Sequence, residues 1–344
     1  MLKRLTMTAV AAGALFAFAS APASAAEKQV IKFAQWTGPA HHMSVDLVQW
    51  GDMVKKFSGG NLIVQVDKAP LSKPPGQYDL VKNGIRDMAW PVASYTRPRF
   101  DMMLVGELPF ICPNATICSQ ALTMWYHKHG FDKTEFSDGK TKWLFSSNHG
   151  PGTIHTNKDV INLEQIKDLK MRAGGSGVPI AKALGMSVIA MSATDVHEAL
   201  QRGTVDGVLF PWEAMNSFRL TNMVKYHLEI PGGLYTGTFF YPINMKTYDG
   251  LTASNRAALL RASGVYGAKF IGSRWDAADT KARNDAIKLG QTIHTLAPAE
   301  LERWRPKLDF VRKAWVEEAD KKGLDGNALV ADFKAMVKKV QQGS

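Results

Sequence analysis

Few residues of this 344-residue chain have the type and spacing needed for chemistry, and Arg172 is the most informative of them. It lies in Leu169-Lys170-Met171-Arg172-Ala173, whose apolar pattern predicts a strand. An arginine in such a strand is rarely buried alone, because removing its charge from water is costly. The guanidinium could have either of two partners: an internal Asp or Glu, or the carboxylate of a bound ligand held by two parallel hydrogen bonds.

Signatures of catalysis are missing from the sequence. It contains no Gly-x-Ser-x-Gly, His-Glu-x-x-His or Walker motif. Adjacent His41 and His42 point to different sides of a regular element, so we expect no metal site there. We therefore expect no enzyme activity, no cofactor and no bound metal. Four carboxylates that could form an acid/base set have no spacing that would pair them: Asp195, Glu198, Asp206 and Glu213.

The N-terminus has the layout of a secretory signal peptide. Lys3 and Arg4 precede an apolar run at 9–19, and Ala23-Ser24-Ala25 is a small-residue cleavage pattern. The run is too short for a membrane span, which needs about 20 apolar residues. We predict that 1–25 are removed on export and that the mature protein is periplasmic.

The net charge of +11, from 42 Lys and Arg against 31 Asp and Glu, resembles that of a nucleic-acid-binding protein. Removal of 1–25 lowers it to +9, and the remainder has no run of five like charges and no recognition motif. We expect no nucleic-acid partner, since a dispersed basic surface on an exported protein explains the excess.

Cys112 and Cys118, the two cysteines of the chain, are separated by five residues. An oxidising compartment favours a disulfide between them, and two free buried thiols are the alternative. The spacing does not match a Cys-x-x-Cys redox motif.

The order of elements predicts an α/β protein. Strands at 30–34, 62–66 and 88–92 alternate with helices, and a second α/β set follows the break at Gly150-Pro151-Gly152. A strand at 238–245 comes next. Apolar spacing then predicts one long helix through 259–270, and the remainder to Lys339 reads as helical.

The stretch 162–212 resembles the solute receptors of tripartite ATP-independent periplasmic (TRAP) transporters. The family carries a lone Arg in a Leu-Lys-x-Arg strand, here ending at Arg172, followed by a helix and a Val-Asp-Gly turn, here 205–207. Glu107-Leu108-Pro109-Phe110 and the opening Lys32-Phe33-Ala34 strand are also similar, so the resemblance runs over most of the mature chain.

This resemblance implies a two-lobed α/β clamshell of the periplasmic-binding-protein type, with crossing strands and a long connecting helix. We expect lobe I to comprise 26–148 plus about 238–280, and lobe II to comprise 149–237 plus about 281–344. One organic anion would bind between the lobes and pass to the membrane permease subunits of the transporter. Two alternatives are a receptor of an ATP-driven importer and a secreted α/β hydrolase or lyase.

The resemblance also implies a set of ligand-binding positions, with Arg172 on the carboxylate. Sugar-acid receptors of the family have polar residues at several of these places and a second Arg where this chain has Gly152. Aromatic residues replace them here, so we expect a carboxylate with an apolar or aromatic body, such as a hydroxy acid. His149 would supply a nearby donor. The expected ligand-binding residues are Arg172, Phe210, Trp212, Trp36, Trp90, Phe239, Tyr95 and His149.

Overall fold

The computed structural model describes residues 28–343. The predicted signal peptide, 1–25, lies outside this range. Within 28–343, every helix is too short or too polar to cross a bilayer.

Ten strands and thirteen α-helices make up the described chain. The strands are β1 (Gln29–Phe33), β2 (Leu62–Val66), β3 (Thr141–Asn148), β4 (Thr153–Thr156), β5 (Lys170–Ala173), β6 (Ser187–Ala190), β7 (Gly207–Phe210), β8 (Tyr226–Glu229), β9 (Thr238–Asn244) and β10 (Thr292–Thr295). The helices are α1 (His42–Phe57), α2 (Gln77–Lys82), α3 (Ala115–Lys128), α4 (Phe131–Thr134), α5 (Leu163–Ile166), α6 (Gly177–Ala183), α7 (Val196–Gln201), α8 (Glu213–Ser217), α9 (Met245–Gly250), α10 (Ala253–Ala262), α11 (Gly264–Lys288), α12 (Pro298–Lys321) and α13 (Gly326–Gln342).

The first lobe is built on two strand pairs. β1 and β2 are parallel, and β3 and β9 are antiparallel. Single bridges at Met88 join the two pairs, because this residue contacts Phe33 on one side and Ile243 on the other. The predicted strand at 88–92 is therefore reduced to isolated bridges at Met88 and Val92.

The second lobe is built on a six-stranded sheet with the order β10-β8-β4-β7-β5-β6. β5, which carries Arg172, pairs in parallel with both β6 and β7. β4 runs antiparallel to β7 and β8. All of β7, and all of β5 except Lys170, is buried, as is usual for parallel strands whose two faces are covered by helices.

Two segments cross between the lobes. The chain passes from β3 to β4 through 149–152 and returns from β8 to β9 through 230–237. Gly152 N donates to Tyr235 O at 2.7 Å and His149 N donates to Gly237 O at 3.2 Å. These bonds hold the crossing segments side by side.

The C-terminal helices differ from the expected division of the chain. We expected all of 281–344 in lobe II, but α13 packs on α3 of the first lobe, with the rings of Phe333 and Trp125 5.6 Å apart. The cause is the apolar face of α13, which covers α3. Helix α12 contacts both lobes. Its Trp304 lies in the core of the second lobe, and its Trp315 Nε1 donates to Asp101 O in the first at 2.9 Å.

The predicted single helix through 259–270 is two helices. α10 ends at Ala262, and Gly264 begins α11 with a φ of +56°, a left-handed conformation that favours glycine. The 25-residue α11 packs on α1, α3, β3 and α8, and so connects the two lobes. Cys112 and Cys118 form a disulfide at the start of α3.

Candidate functional site

The guanidinium of Arg172 is buried, with 1% of the residue exposed, and forms no ion pair with any residue of 28–343. Its Nη2 donates to Met191 O at 2.9 Å and to Tyr95 Oη at 3.3 Å, and its Cζ lies 4.1 Å from the centre of the Phe210 ring. Nε has no partner among the described residues. The internal carboxylate partner that the sequence left open is therefore missing from the described chain.

Gly174 allows this arrangement. A Cβ at this position would lie 2.7 Å from Arg172 Nη2, closer than real side chains approach. Any other residue after the Arg-bearing strand would require the guanidinium of Arg172 and the hydroxyl of Tyr95 to shift.

Arg172 lines a cavity between the two lobes. The non-atom space here is about 530 Å³, a figure that includes the part open to solvent. Trp36, Phe239 and Trp275 come from the first lobe and its connecting helix, whereas Phe210 and Phe218 come from the second. The enclosed space is thus an aromatic slot with one cationic end.

The rings of the slot are held by stacking on one another. The centres of Phe239 and Trp275 are 5.1 Å apart with an angle of 3° between the planes, and those of Phe210 and Phe218 are 5.5 Å apart at 13°. Trp36 stacks on Trp90 at 4.5 Å. Stacked rings lose little side-chain freedom when a ligand binds, so the walls are largely preorganised.

Six of the eight residues expected from the sequence line this cavity: Arg172, Phe210, Trp36, Phe239, Tyr95 and His149. Their direct contact with a ligand stays a prediction. Trp90 lies one layer behind, since it supports Trp36 and accepts the Trp36 Nε1 hydrogen bond on its carbonyl at 3.1 Å.

Trp212 lies outside this cavity, contrary to the expectation from the sequence. Its Nε1 donates to Glu229 Oε1 at 2.9 Å, and its ring packs against His155 and His227, away from the cavity. The physical reason is local. β7 ends at Phe210 and α8 begins at Glu213, so the chain turns between them and directs Phe210 and Trp212 to different sides.

His149 lies at the crossing and differs from the donor that we expected. Burial lowers its pKa to about 4, so the ring is neutral. Its Nδ1 lies 2.6 Å from Gly150 O, and because a carbonyl can only accept, the proton is on Nδ1. Nε2 is therefore an acceptor.

Glu107 lines the cavity, although the sequence indicated it only as part of a motif similar to the family's and not as a site residue. Its Oε1 accepts from Thr238 N at 2.8 Å, and Oε2 has no partner among residues 28–343. Burial raises its pKa to about 7, although Ser176, Thr238, Ser94 and Arg97 favour the charged form. The carboxyl is therefore largely protonated in mildly acidic solution.

We expect Glu107→Gln to change how stability depends on pH. The folded-state pKa of Glu107 exceeds the value of about 4.5 for a free side chain, so its contribution is complete below pH 4.5 and is lost as pH rises towards 7. Urea unfolding should show the variant gaining about 2 kcal/mol over the wild type between pH 5 and pH 7.5. The exposed Glu198→Gln should show no such gain, and a parallel pH dependence of Glu107→Gln and wild type would contradict the shifted pKa.

His41, His42 and Glu213 meet at one side of the cavity, contrary to the expectation that the histidines diverge. Glu213 Oε2 lies 3.9 Å from His41 Nε2 and 3.4 Å from His42 Nε2, and the two imidazoles stack at 4.9 Å. The expectation fails because His41 is the extended N-cap of α1, whereas His42 is its first helical residue. Alternation within one regular element does not apply across this boundary.

The three side chains carry different charges. Burial lowers the pKa of His41 to about 3, so it is neutral. Burial opposes the charge on His42 as well, but the hydrogen bond between its Nδ1 and Asp46 at 2.7 Å and the nearby Glu213 carboxylate raise its pKa to about 9. Burial also opposes the charge on Glu213, and the charged His42 nevertheless holds its pKa below its usual range. A charged pair, His42 with Glu213, therefore stands next to a neutral imidazole.

This cluster is the one group among residues 28–343 with metal-ligand composition, and its ligand atoms lie within 4.8 Å of one another. His41 does not suit the task. Its Nδ1 accepts from Met43 N at 3.2 Å, so the proton of the neutral ring is on Nε2, the atom that would have to bind the metal.

Comparison with known proteins gives matches over most of the chain. Residues 33–318 match the model of the bacterial extracellular solute-binding protein family 7. A TRAP solute-binding protein from Rhodoferax ferrireducens, solved with copurified benzoate, is 29% identical, with 91% of this chain and 98% of that one covered and a TM-score of 0.84. A Bordetella bronchiseptica TRAP receptor with bound (R)- and (S)-mandelate is 30% identical, with 90% and 99% covered and a TM-score of 0.85.

A relative with a different named ligand is the C4-dicarboxylate-binding periplasmic protein DctP of Rhodobacter capsulatus. It is 27% identical over 264 residues, which are 76% of this chain and 78% of that protein. The family match and the two-lobed architecture agree with the resemblance drawn from the Arg172 segment and the Val-Asp-Gly turn. The chain belongs to family 7 of the bacterial extracellular solute-binding proteins, the solute receptors of TRAP transporters.

Proposed function

We propose that this protein is a periplasmic receptor that captures an aromatic monocarboxylate between its lobes and delivers it to TRAP permease subunits in the membrane. The observation that carries the proposal is the buried Arg172 guanidinium, which has no carboxylate partner among residues 28–343 and faces an aromatic slot. A ligand carboxylate would replace the water that the charge has lost and would form charge-assisted hydrogen bonds.

The charges of the cavity favour one carboxylate over two. Arg172 is the sole Lys or Arg among the lining residues, all of which belong to the described chain, and His41 and His149 are neutral. The second carboxylate of a C4-dicarboxylate would approach the Glu213 carboxylate, and the one cation beside it, His42, is already paired with Glu213. A dicarboxylate, the ligand class named for the R. capsulatus relative, is therefore disfavoured here.

The walls favour an aromatic body over a sugar. The rings of Trp36, Phe239 and Trp275 offer flat apolar surface, against which sugar hydroxyls would lose about 1–3 kcal/mol each when left unpaired. Benzoate and mandelate, the ligands of the two structural relatives, are both aromatic monocarboxylates.

The proposed function is that of a carrier and not that of an enzyme. The family consists of transport receptors, and the proposed role of Arg172 is to bind and not to transform. The leader at 1–25 supports export. A bound compound is expected to be recovered unchanged, as a receptor requires.

Isothermal titration of the mature chain tests the proposal. Benzoate, mandelate and phenylacetate are expected to bind and to raise the melting temperature, whereas succinate and glucuronate should not. Mass spectrometry after a long incubation should return the acid unaltered. Tight binding of succinate or glucuronate with no response to the aromatic acids would overturn the proposal, and turnover of the acid would make the protein an enzyme.

A further inference from the structure

Two polar atoms in the wall of the cavity could act as a donor and acceptor pair, although one of them, Glu213 Oε2, also lies 3.4 Å from the charged His42. His41 Nε2 and Glu213 Oε2 belong to residues that are 2% and 3% exposed, and neither atom has a hydrogen-bond partner among residues 28–343. Buried polar atoms in this condition are rare, since each costs about 1–3 kcal/mol unless something else satisfies it.

The direction of each bond follows from the contacts behind the two atoms. Met43 N donates a hydrogen bond to His41 Nδ1, so the proton of the neutral imidazole is on Nε2, which is therefore a donor. Glu213 remains a carboxylate beside the charged His42, so Oε2 is an acceptor. Asp279 Oδ1 accepts from Glu213 N at 2.7 Å and fixes the start of α8. The pair therefore has fixed polarity as well as fixed position.

The separation of the two atoms suits a single hydroxyl group. They are 3.9 Å apart, so an oxygen at about 2.8 Å from both would form an angle of about 90° between its directions to the two atoms. Such a hydroxyl would accept from His41 and donate to Glu213. A methyl or a bare ring edge would satisfy neither atom, and a second carboxylate would be repelled by Glu213.

We propose that His41 and Glu213 form a hydroxyl subsite, and that the preferred ligand is an aromatic monocarboxylate carrying a hydroxyl group. This inference rests on the proposed function, because it assumes that Arg172 holds the carboxylate. The same two residues then set the orientation of the acid, with the carboxylate at Arg172 and the hydroxyl between the edges of Phe218 and Trp275, whose rings lie 5.2 and 6.0 Å from that of His41.

Titration of the mature chain with benzoate and with 2-, 3- and 4-hydroxybenzoate tests the subsite. At least one isomer is expected to bind about tenfold or more tightly than benzoate, the gain of a hydrogen bond to a charged group. The ratio of the benzoate Kd to that isomer's Kd is the readout, because it cancels general damage to the cavity.

Two variants should reduce this ratio at least severalfold: Glu213→Gln, which removes the charge, and His41→Asn, which keeps a capping side chain for α1 but withdraws the donor. Glu135→Gln is the matched control, since Glu135 is a buried carboxyl bonded to Tyr126 and Met102 outside the cavity, and it should leave the ratio unchanged. Circular dichroism checks folding, and either variant alone suffices if the other fails to fold.

The possible failures are distinguishable. Binding of benzoate with no preference for any hydroxylated isomer, or an undiminished ratio in both folded variants, would overturn the subsite and leave the proposed function intact. Failure of these four acids, and of mandelate and phenylacetate as well, to bind would overturn the proposed function itself. Loss of the preference after treatment with EDTA would replace the hydroxyl subsite with a metal site on the same cluster.

Discussion

Arg172→Met should abolish high-affinity binding of aromatic carboxylates while leaving the ligand-free protein at least as stable as the wild type. The loss of two charge-assisted hydrogen bonds corresponds to about 3–6 kcal/mol, or roughly a hundredfold to ten-thousandfold in Kd. Methionine fills a similar volume against Phe210. Removing a buried charge that has no carboxylate partner in 28–343 relieves a desolvation penalty, so the melting temperature should not fall.

Calorimetric titration measures the Kd, and thermal denaturation of the same samples measures the melting temperature. Arg172→Lys keeps the charge but not the planar fork, so its affinity should lie between those of the wild type and Arg172→Met. Arg202→Met, at a residue whose side chain is 71% exposed, is the control and should change neither quantity. Retained affinity in a folded Arg172→Met protein would remove Arg172 from the site.

Gly152→Ala should destabilise the protein and weaken ligand binding together. A Cβ here would lie 2.5 Å from Tyr235 Cε1 and 3.0 Å from Tyr235 O, and closer still to Cδ1. The ring cannot move away freely, because it is buried and its hydroxyl donates to Leu209 O at 2.9 Å. Overpacking of this kind costs about 1–3 kcal/mol.

Tyr235 also lines the cavity, so its displacement should raise the Kd as well as lower the melting temperature. Gly250→Ala is the matched control, since a Cβ there meets nothing within 4 Å and the residue has no left-handed backbone. Wild-type stability in Gly152→Ala would contradict this prediction and would show that the Tyr235 ring can move.

The carboxylate-binding end of the site could be predicted from the sequence because its signal is local. A charged residue within an apolar strand needs a partner wherever the strand lies, and Arg172 meets that description. The aromatic walls carry no such local signal. Trp90 and Trp212 match the composition of a ligand pocket as well as Trp36 does, yet one supports the wall and the other packs against two histidines elsewhere.

The pairing of His41 with Glu213 was beyond prediction for a different reason. The two residues are far apart in sequence and meet only because α1 and α8 both begin at the cleft. Part of the signal was present, since His41 precedes an amphipathic helix at its N-cap position. The direction in which the His41 side chain points depends on the backbone geometry of the N-cap, which the periodicity of the residues does not encode.

The same distinction explains which elements of the fold were anticipated. Apolar runs gave β5, β7 and β9, and helical spacing gave α1. β8 was not predicted, because its four residues include a histidine and a glutamate, and β10 lies in the stretch that was expected to be helical. The break between α10 and α11 depends on the left-handed Gly264, whereas apolar spacing continues across it.

The enclosure of the cavity has a consequence for residence time. Arg172 and Trp275 are each 1% exposed and Trp36 and Phe239 are each 4% exposed, so the residues expected to contact a bound acid are covered by the two lobes. We expect the acid to leave when the lobes separate. Dissociation then cannot outpace separation of the lobes, and better ligands last longer by making that separation rarer. A membrane partner that unloads the receptor would accordingly act by separating the lobes, against the contacts that the acid makes with both of them.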